Sequence, residues 1–329
     1  MQQPSDINIS ICLIESPLQL ISATPFILRN KNVYILFNTR STQISNILNR
    51  GFKINRNNIF GYANSLELIY LIFKIKYNKT IINFLMGDIR YLNNIIFFTF
   101  FRKAFFTLVD DGNFNMLLDN KSFHEANIRF LQMKKIFFKI MLKQPISRET
   151  VLNHSITKKY TKIIRNDFKN IIENMALTKD ITFPINEKAV YYIESPLDAL
   201  ISKSDEENVY KKLSGYANEL NFKLKIIAHR VSDINSIKDL TKDYKNIEII
   251  KLDLPIEFYI NNISHDKYVV FGITTAIFTC SMIMNKRSIP FKVLDLSNYS
   301  INRDWKIFHN KFQNDLEMLD DNGIEIEFF

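Results

Sequence analysis

The sequence predicts an α/β protein built from two doubly wound domains, and three observations support that prediction. Short apolar segments alternate with helical patterns along most of the 329 residues, as in parallel sheets whose strands are joined by helices. A basic stretch without strand periodicity, residues 113–182, divides this alternation into two series. Each series opens with a strand that leads into Glu-Ser-Pro-Leu, at residues 15–18 and 194–197. We therefore place the domains at residues 1–182 and 183–329.

The first series consists of five apolar segments with helical patterns between them. Strands are predicted at residues 9–14, 33–37, 58–61, 80–86 and 104–109. Helices are predicted at residues 17–29, 41–48, 65–76 and 91–102. Pro17 suits the first turn of a helix and Ser16 suits its N-cap, so the first strand should pass directly into a helix. The stretch 113–182 that follows is expected to be helical.

The second series shows the same alternation of predicted strands and helices. Strands are predicted at residues 189–193, 222–228, 247–252, 268–271 and 291–296. Helices are predicted at residues 206–220 and 235–244, after Leu254, and from about 272 to 284. The tail from Ser300 is polar and is expected to be helical. Two doubly wound domains that face a central cleft form the GT-B architecture, which many nucleotide-sugar glycosyltransferases use.

Composition and charge narrow the classes of function. The net charge of +9 suits a polyanionic partner, an anionic membrane surface or a nucleotide ligand. Cys12 and Cys280 lie in apolar segments, so we expect two buried thiols and a reducing, cytoplasmic compartment. No secretory leader is expected. The longest apolar stretch, residues 93–109, is interrupted by Arg102 and Lys103 and does not predict a spanning helix.

The basic stretch contains one segment, residues 133–143, in which lysines lie beside an apolar face. Two interpretations stay open. An ordinary amphipathic helix would keep its lysines in water and its apolar side against the protein. An interfacial helix would lie on an anionic surface, which makes peripheral contact with the inner membrane a candidate. The lysines are otherwise scattered and match no known nucleic-acid module, so no nucleic-acid partner is expected.

Two strands of the second series end beside groups with acid/base chemistry. His229 follows one strand, and Asp198 follows the strand that ends at Glu194 and Ser195. The carboxyl ends of parallel strands meet at one edge of a sheet, so Asp198 and His229 should share that edge. An imidazole there could assist a leaving phosphate, and Arg230 could bind a phosphate or carboxylate through two hydrogen bonds. A solvated aspartate and a surface histidine are the alternative.

A second acidic site follows the strand at residues 104–109, where the chain reads Asp110-Asp111-Gly112. Adjacent side chains alternate in direction, so only one of the two acids can point toward a ligand. One interpretation is a general base that removes a proton from an acceptor hydroxyl. The other is an ordinary surface turn that Gly112 permits.

Two helix starts in the second series carry candidate ligand groups. Glu257 lies in the first turn after Pro255, where it could accept hydrogen bonds from the two hydroxyls of a ribose or simply compensate the helix dipole. Gly272-Ile273-Thr274-Thr275 opens the next helix. Free amide groups and two hydroxyls at a helix N-terminus suit a phosphate, whereas one threonine would suffice as an N-cap.

The sequence lacks the motifs of several other functions. There is no Asp-X-Asp between strands and no Cys/His ligand set, so no metal and no cofactor are expected. The glycine-rich signatures of mononucleotide and dinucleotide sites are absent. Ser16 and Ser195 do not lie in a Gly-x-Ser-x-Gly elbow, which disfavours hydrolase chemistry.

The order of these parts resembles that of the bacterial GT-B sialyltransferases. A strand ending in Asp-Asp-Gly, a strand ending in His, a Pro-x-Glu helix start and a paired Thr helix start follow one another as they do there. The Ser-Pro-Leu-Gln at residues 16–19 and the Ser-Pro-Leu-Asp at residues 195–198 look most like glycosyltransferase family 52, which includes the lipooligosaccharide sialyltransferases and is related to the polysialyltransferases. The resemblance spans nearly the whole chain, although each motif is short.

The resemblance implies a role for each matched residue. His229 would assist the departure of CMP, Glu257 would bind the cytidine ribose, and Thr274 with Thr275 would bind the CMP phosphate. Arg230, Ser195, Ser16 and Gln19 are expected to contact the CMP-sugar. The general base would be Asp111 or, as has been placed in family 52, Asp198, with a slight preference for Asp111.

The implied reaction is an inverting, metal-independent transfer of sialic acid from CMP-sialic acid to a glycan hydroxyl, often on galactose, in lipooligosaccharide or capsule. His229-Arg230 replaces the usual His-Pro, and Thr274-Thr275 replaces Ser-Ser or Ser-Thr, which indicates a divergent member. Legionaminic acid, pseudaminic acid or another nucleotide sugar is therefore an alternative donor. A non-catalytic GT-B-like subunit that binds polysaccharide through the basic region is a further alternative.

Overall fold

The structure is a computed structural model of the chain. It describes residues 7–50, 56–77, 79–87, 104–111, 146–151, 160–175, 188–260, 268–284, 291–302, 305–306, 309–310, 312–314, 316 and 326–329. The chain divides into two compact units, unit 1 from Met1–Lys179 and unit 2 from Asp180–Phe329.

Unit 1 is an α/β unit with seven described strands. They are β1 Ile7–Ile14, β2 Val33–Asn38, β3 Ile59–Tyr62, β4 Lys79–Met86, β5 Phe105–Leu108, β6 Ile146–Thr150 and β7 Tyr160–Arg165. Its described helices are α1 Pro17–Arg29, α2 Thr42–Arg50, α3 Ser65–Lys76 and α4 Phe168–Asn174, with one turn of 3-10 helix at Arg56–Asn58. As expected, α1 begins at Pro17, and the Ser16 side chain caps it by accepting from the Gln19 amide.

The seven strands form one parallel sheet in the order β3-β2-β1-β4-β5-β6-β7. The first strand in the chain therefore lies inside the sheet, and the chain winds outward from it in both directions. This order places a topological switch point between β1 and β4, where open α/β sheets usually bind ligands. The switch point brings the residues after β1 beside the residues after β4.

Unit 2 repeats the same plan with six described strands. They are β8 Ala189–Ile193, β9 Lys223–Ile227, β10 Ile247–Ile250, β11 Tyr268–Phe271, β12 Phe291–Val293 and β13 Ile326–Phe328. Its helices are α5 Leu197–Leu200, α6 Lys203–Glu219, α7 Ile234–Thr241 and α8 Ala276–Ile283, with a 3-10 turn at Ile256–Phe258. The parallel sheet runs β10-β9-β8-β11-β12-β13. Its switch point lies between β8 and β11.

The two sheets confirm the predicted fold class. Six strands of each unit follow the same order around the first strand, which is the order of a Rossmann-type domain. The strands lie between helices and are largely apolar: all five residues of β8 are buried. In unit 1 the inner face of α3, with Leu68, Ile72 and Ile75, packs into a core with Ile11 and Phe84. Cys12 and Cys280 are both buried free thiols, as expected.

The prediction that residues 113–182 are helical is confirmed at α4 and is wrong at two other described segments of that stretch. Strands β6 and β7 lie inside that stretch and extend the sheet of unit 1 beyond β5. Strand β13 likewise replaces the end of the predicted helical tail. The predicted helices at residues 91–102 and 133–143, and Gly112, lie outside the described residues. Within the described part of the chain, no helix has the length and apolarity that crossing a bilayer requires.

Candidate functional site

The two Glu-Ser-Pro-Leu repeats occupy the same place in the two sheets. We name residues 15–19 the first corner and residues 194–198 the second corner. The first follows β1, the second follows β8, and each strand borders its switch point. A glycine follows the neighbouring strand in both cases, Gly87 after β4 and Gly272 after β11.

Both glycines leave room for the corner beside them. A Cβ atom on Gly87 would lie 2.4 Å from side-chain atoms of Gln19. A Cβ atom on Gly272 would lie 2.6 Å from the Oγ of Ser195 and 2.8 Å from its backbone nitrogen. Real Cβ atoms do not approach so closely, so a Cβ at Gly272 would collide with the backbone of the corner, whereas one at Gly87 would require the Gln19 side chain to move.

The first corner is joined to one of the predicted bases. The Ser16 hydroxyl donates to the Oδ1 of Asp111 at 2.9 Å, and its oxygen accepts from the Gln19 amide at 3.3 Å. Gln19 accepts from the Glu15 amide at 2.8 Å through Oε1. Its Nε2 is buried and has no hydrogen-bond partner. The structure thus brings Ser16, Gln19 and Asp111 together.

The two adjacent acids after β5 have different environments, as their alternation predicts. Asp110 is fully buried and accepts from the Thr150 hydroxyl at 3.0 Å and from the Val151 amide at 2.6 Å. Its carboxylate therefore ties β5 to the end of β6. Asp111 is half-buried beside Ser16, so it is the acid of the pair that faces the first corner.

Glu15 completes the first corner with a carboxylate that neighbouring strands hold. The Asn38 side chain donates to it at 2.8 Å and the Tyr62 hydroxyl at 2.5 Å. Asn38 ends β2 and Tyr62 ends β3. The carboxylate thus links the ends of three strands on one side of the switch point.

The second corner buries its serine. Ser195 is fully buried, and its Oγ accepts from the Ile273 amide at 3.2 Å. This bond fixes the loop that leads from β11 into α8. Asp198 lies in the first turn of α5, is exposed, and accepts from the Ala199 amide at 2.9 Å. Asp198 and His229 do follow parallel neighbouring strands, as predicted, but the Asp198 side chain faces solvent.

His229 follows β9 and is half-buried. Its backbone amide donates to the Oε2 of Glu194 at 2.8 Å. Burial and, to a smaller extent, the positive charge of Arg230 lower the pKa of the imidazole to about 4. The ring is therefore neutral at pH 7.

Glu257 lies in the 3-10 turn that follows Pro255 and is buried. Its Oε1 accepts from the Thr279 hydroxyl on α8 at 2.7 Å. Burial raises the pKa of its carboxyl group, while Thr279 and the positive charge of Arg230 act in the opposite direction. Arg230 thus interacts electrostatically with both His229 and Glu257, and it is itself exposed.

The paired threonines have unequal environments. Thr274 is buried, and its Oγ1 accepts from the Ala276 amide at 3.3 Å. Thr275 occupies the N-cap of α8 but makes no side-chain capping bond. The first amides of α8 donate back within the turn, from Ile277 to Thr274 and from Phe278 to Thr275. Fewer amides are therefore available for an anion than the sequence predicted.

Sequence reasoning missed the buried groups behind His229. Glu194 is 2% exposed and Glu206 on α6 is 5% exposed. The Tyr210 hydroxyl lies between them, 3.4 Å from a Glu194 oxygen and 3.3 Å from a Glu206 oxygen. The repeat of a glutamate before each Ser-Pro-Leu was the only sequence signal for Glu194. Among the described residues, no three His, Cys, Asp or Glu side chains come together as metal ligands.

Comparison with known proteins supports the fold and leaves the chemistry open. No family model and no curated protein matches the sequence. The UDP-GlcNAc 2-epimerase from Neisseria meningitidis, solved with UDP-GlcNAc, is similar in structure, with a TM-score of 0.52 and 13% identity over 98% of this chain and 95% of that chain. A co-structure of S. aureus MnaA and UDP has a TM-score of 0.51 and 12% identity, over 96% and 89% of the two chains. The chain therefore has the α/β fold of GT-B type, with two Rossmann-like domains.

Proposed function

We propose that the protein is a nucleotide-sugar glycosyltransferase, and specifically a sialyltransferase that transfers sialic acid from CMP-sialic acid to a glycan hydroxyl. One observation carries the proposal. His229, Arg230 and Glu257 meet at the carboxyl edge of the unit 2 sheet, where open α/β sheets bind ligands. Their chemistry suits a nucleoside monophosphate leaving group.

The nucleoside end of the donor would be held by Glu257. One oxygen of its carboxyl group is occupied by Thr279, which fixes the orientation of the side chain. The second oxygen would accept from the ribose hydroxyls. Arg230 would bind the phosphate, because its guanidinium is exposed and lies within electrostatic reach of both His229 and Glu257. Thr275 would add a hydroxyl to the same phosphate.

The leaving group would be assisted by His229. In the free protein its imidazole is neutral, and a neutral ring still offers one N–H donor. A phosphate bound beside it would raise its pKa, because a nearby negative charge favours the imidazolium. Binding of the donor would thus prepare the acid that the departure of CMP requires.

The acceptor hydroxyl would lose its proton to Asp111 or to Asp198. Asp111 is the preferred base because the Ser16 hydroxyl orients its carboxylate, whereas Asp198 is exposed to solvent. The deprotonated oxygen attacks the anomeric carbon in a single inverting displacement. The bond from that carbon to the phosphate oxygen breaks, and CMP leaves with the electron pair.

Release of the nucleotide from a panel of donors tests the proposal. The purified protein is incubated with a galactoside and with CMP-sialic acid, CMP-legionaminic acid, CMP-pseudaminic acid, UDP-GlcNAc or a GDP-sugar. Release of CMP and a sialylated product by mass spectrometry supports the proposal. Turnover of another CMP-nonulosonate alone would replace sialic acid as the donor sugar, and turnover of a UDP- or GDP-sugar alone would contradict the proposal.

A second candidate is an enzyme that acts on UDP-GlcNAc. The likeness in fold to the Neisseria meningitidis 2-epimerase favours it. The same panel separates the two, because an epimerase would convert UDP-GlcNAc without an acceptor. A non-catalytic polysaccharide-binding subunit is distinguished by His229→Ala, which would leave glycan assembly unchanged in that case.

A further inference from the structure

The amide of His229 is held by a buried carboxyl group that has no assigned role. Glu194 follows β8 and is 2% exposed, and its Oε2 accepts from the His229 amide at 2.8 Å. The carboxyl group lies directly beneath the turn that carries His229 and Arg230. Any change in its charge or orientation therefore acts on that turn.

The surroundings of Glu194 are unusual for a carboxylate. The Tyr210 hydroxyl donates to it over a long 3.4 Å and also contacts Glu206 at 3.3 Å. The titratable side chains that interact around Glu194 and Glu206 are two tyrosines, one further acid and one lysine: Tyr192, Tyr210, Asp198 and Lys203. The Lys203 charge favours the ionised form of Glu206, and His229 acts on Glu194 through its backbone amide.

We propose that Glu194 is a positioning residue of the candidate donor site, which holds the His229 backbone with its ionised carboxylate and loosens that hold when it is protonated. An ionised carboxylate accepts a short hydrogen bond from an amide more strongly than a neutral acid does. A protonated Glu194 gains a donor, and Tyr210 and Glu206 on α6 offer the acceptors for it. Protonation of Oε1, the oxygen beside Tyr210, would let it donate toward α6 and would leave Oε2 a neutral, weaker acceptor for the His229 amide.

The pKa of Glu194 places this change near neutral pH. Burial raises it from 4.5 to about 7, with Glu206 adding in the same direction, while the His229 amide, the Ser232 side chain and Tyr210 act to lower it. The carboxyl group is thus close to half-ionised at pH 7. His229 itself titrates near pH 4, so the two events are well separated.

The direct test is the pH dependence of the His229 ring signals. The protein is labelled with 13C-histidine, and the His229 resonance is assigned by its loss in His229→Gln. The wild-type signal should show one step near pH 4 and a second near pH 7. Glu194→Gln should remove the second step and keep the first. Glu207→Gln, at an exposed position on α6 next to Glu206, should keep both steps.

Two further variants test the proposal if Glu194→Gln does not fold. Glu206→Gln removes a negative charge near Glu194 and should move the second step to lower pH. Tyr210→Phe removes a hydrogen bond to the carboxylate and should move the step to higher pH. A second step that persists in Glu194→Gln, that is missing in the wild type, or that neither variant moves would overturn the proposal.

The consequence for catalysis rests on the proposed function, whereas the NMR titration does not. The kcat/KM for nucleotide release should rise about tenfold per pH unit below pH 7 in the wild type, as expected for one ionisation. That limb should be absent in Glu194→Gln and present in Glu207→Gln. If the wild type releases no nucleotide from any donor, the proposed function fails, and the His229 titration still decides the role of Glu194.

Discussion

The two corners share four residues and a place in the sheet, yet they hold their glutamates in opposite ways. Glu15 in the first corner is half-buried and accepts from two side chains, Asn38 and Tyr62. Glu194 in the second corner is buried and accepts from the backbone amide of His229 at 2.8 Å and from Tyr210 over a long 3.4 Å. The repeated motif therefore fixes the path of the chain, and the neighbouring strands and helices decide what the carboxyl group can do.

The largest expected difference concerns the acid beside each corner. Asp111→Asn should lower kcat of the proposed transfer by about 10²–10⁴-fold, because it removes the general base. Asp198→Asn should lower it less than about threefold, since the exposed carboxylate accepts from the Ala199 amide of its own helix and from no other described residue. Steady-state rates of nucleotide release measure both. Loss of activity in Asp198→Asn with normal rates in Asp111→Asn would show that Asp198, and not Asp111, is the general base.

The next difference concerns the two glutamates and the stability of the fold. A carboxyl group whose folded pKa lies above its unfolded value stabilises the fold at low pH, and that contribution is lost as the pH rises through the folded pKa. For Glu194 the window runs from 4.5 to about 7. As the pH rises from 4.5 to 8, the free energy of unfolding of Glu194→Gln should therefore increase by up to about 3 kcal/mol relative to that of the wild type.

Glu15→Gln is the matched change in the first corner and should have the opposite sign. The amide would present a donor to Asn38 and Tyr62, which both donate to Glu15. The loss should be about 1 kcal/mol at pH 8. Urea unfolding of both variants at two pH values provides the comparison, and equal effects of the two substitutions would show that the corners are equivalent.

A smaller difference is expected between the two glycines. Gly272→Ala should cost about 2 kcal/mol, because the added Cβ meets the backbone nitrogen and the buried Oγ of Ser195. Gly87→Ala meets only the side chain of Gln19, which can rotate. It should cost less than half as much. Thermal unfolding at neutral pH ranks them, and a larger loss in Gly87→Ala would indicate that Gln19 cannot move.

A further small effect on stability is expected from the capping serine. Ser16→Ala removes the cap of α1 and should cost about 1 kcal/mol. It also removes the hydrogen bond from Ser16 to Asp111, so the rate of the proposed transfer should fall. The step near pH 7 in the His229 titration, which depends on Glu194, should stay unchanged. A stability loss without any change in rate would argue against Asp111 as the base.

The fold was predictable because its central strands are buried on both faces. Such strands need continuous apolar runs, which is why the predicted strand at residues 268–271 agrees with β11 to the residue. The predicted helix at residues 65–76 likewise agrees with α3. β6 reads Ile-Ser-Arg-Glu-Thr and lacks such a run. Its sequence carries no strand signal, so its place in the sheet could not be predicted.

The location of the candidate site was predictable from the sequence, but the protonation states and surroundings of its residues were predictable only in part. Strand ends in a parallel sheet share one edge, and that rule located His229 and Asp198. The neutral form of His229 could not be predicted, because it depends on burial and on Arg230. The raised pKa of Glu194 could not be predicted either, because Glu206 and Tyr210 beside it lie on α6, outside the Glu-Ser-Pro-Leu motif. The roles of the site residues stay predictions.

The position of the first strand in each sheet has a consequence for synthesis of the chain. Ile7 in β1 pairs with Lys79 in β4, and Val190 in β8 pairs with Tyr268 in β11. Because the ribosome adds about 5–20 residues per second, one edge of each central strand stays unpaired for several seconds until its partner strand has been synthesised. During that time an apolar strand edge is open to pairing with other chains.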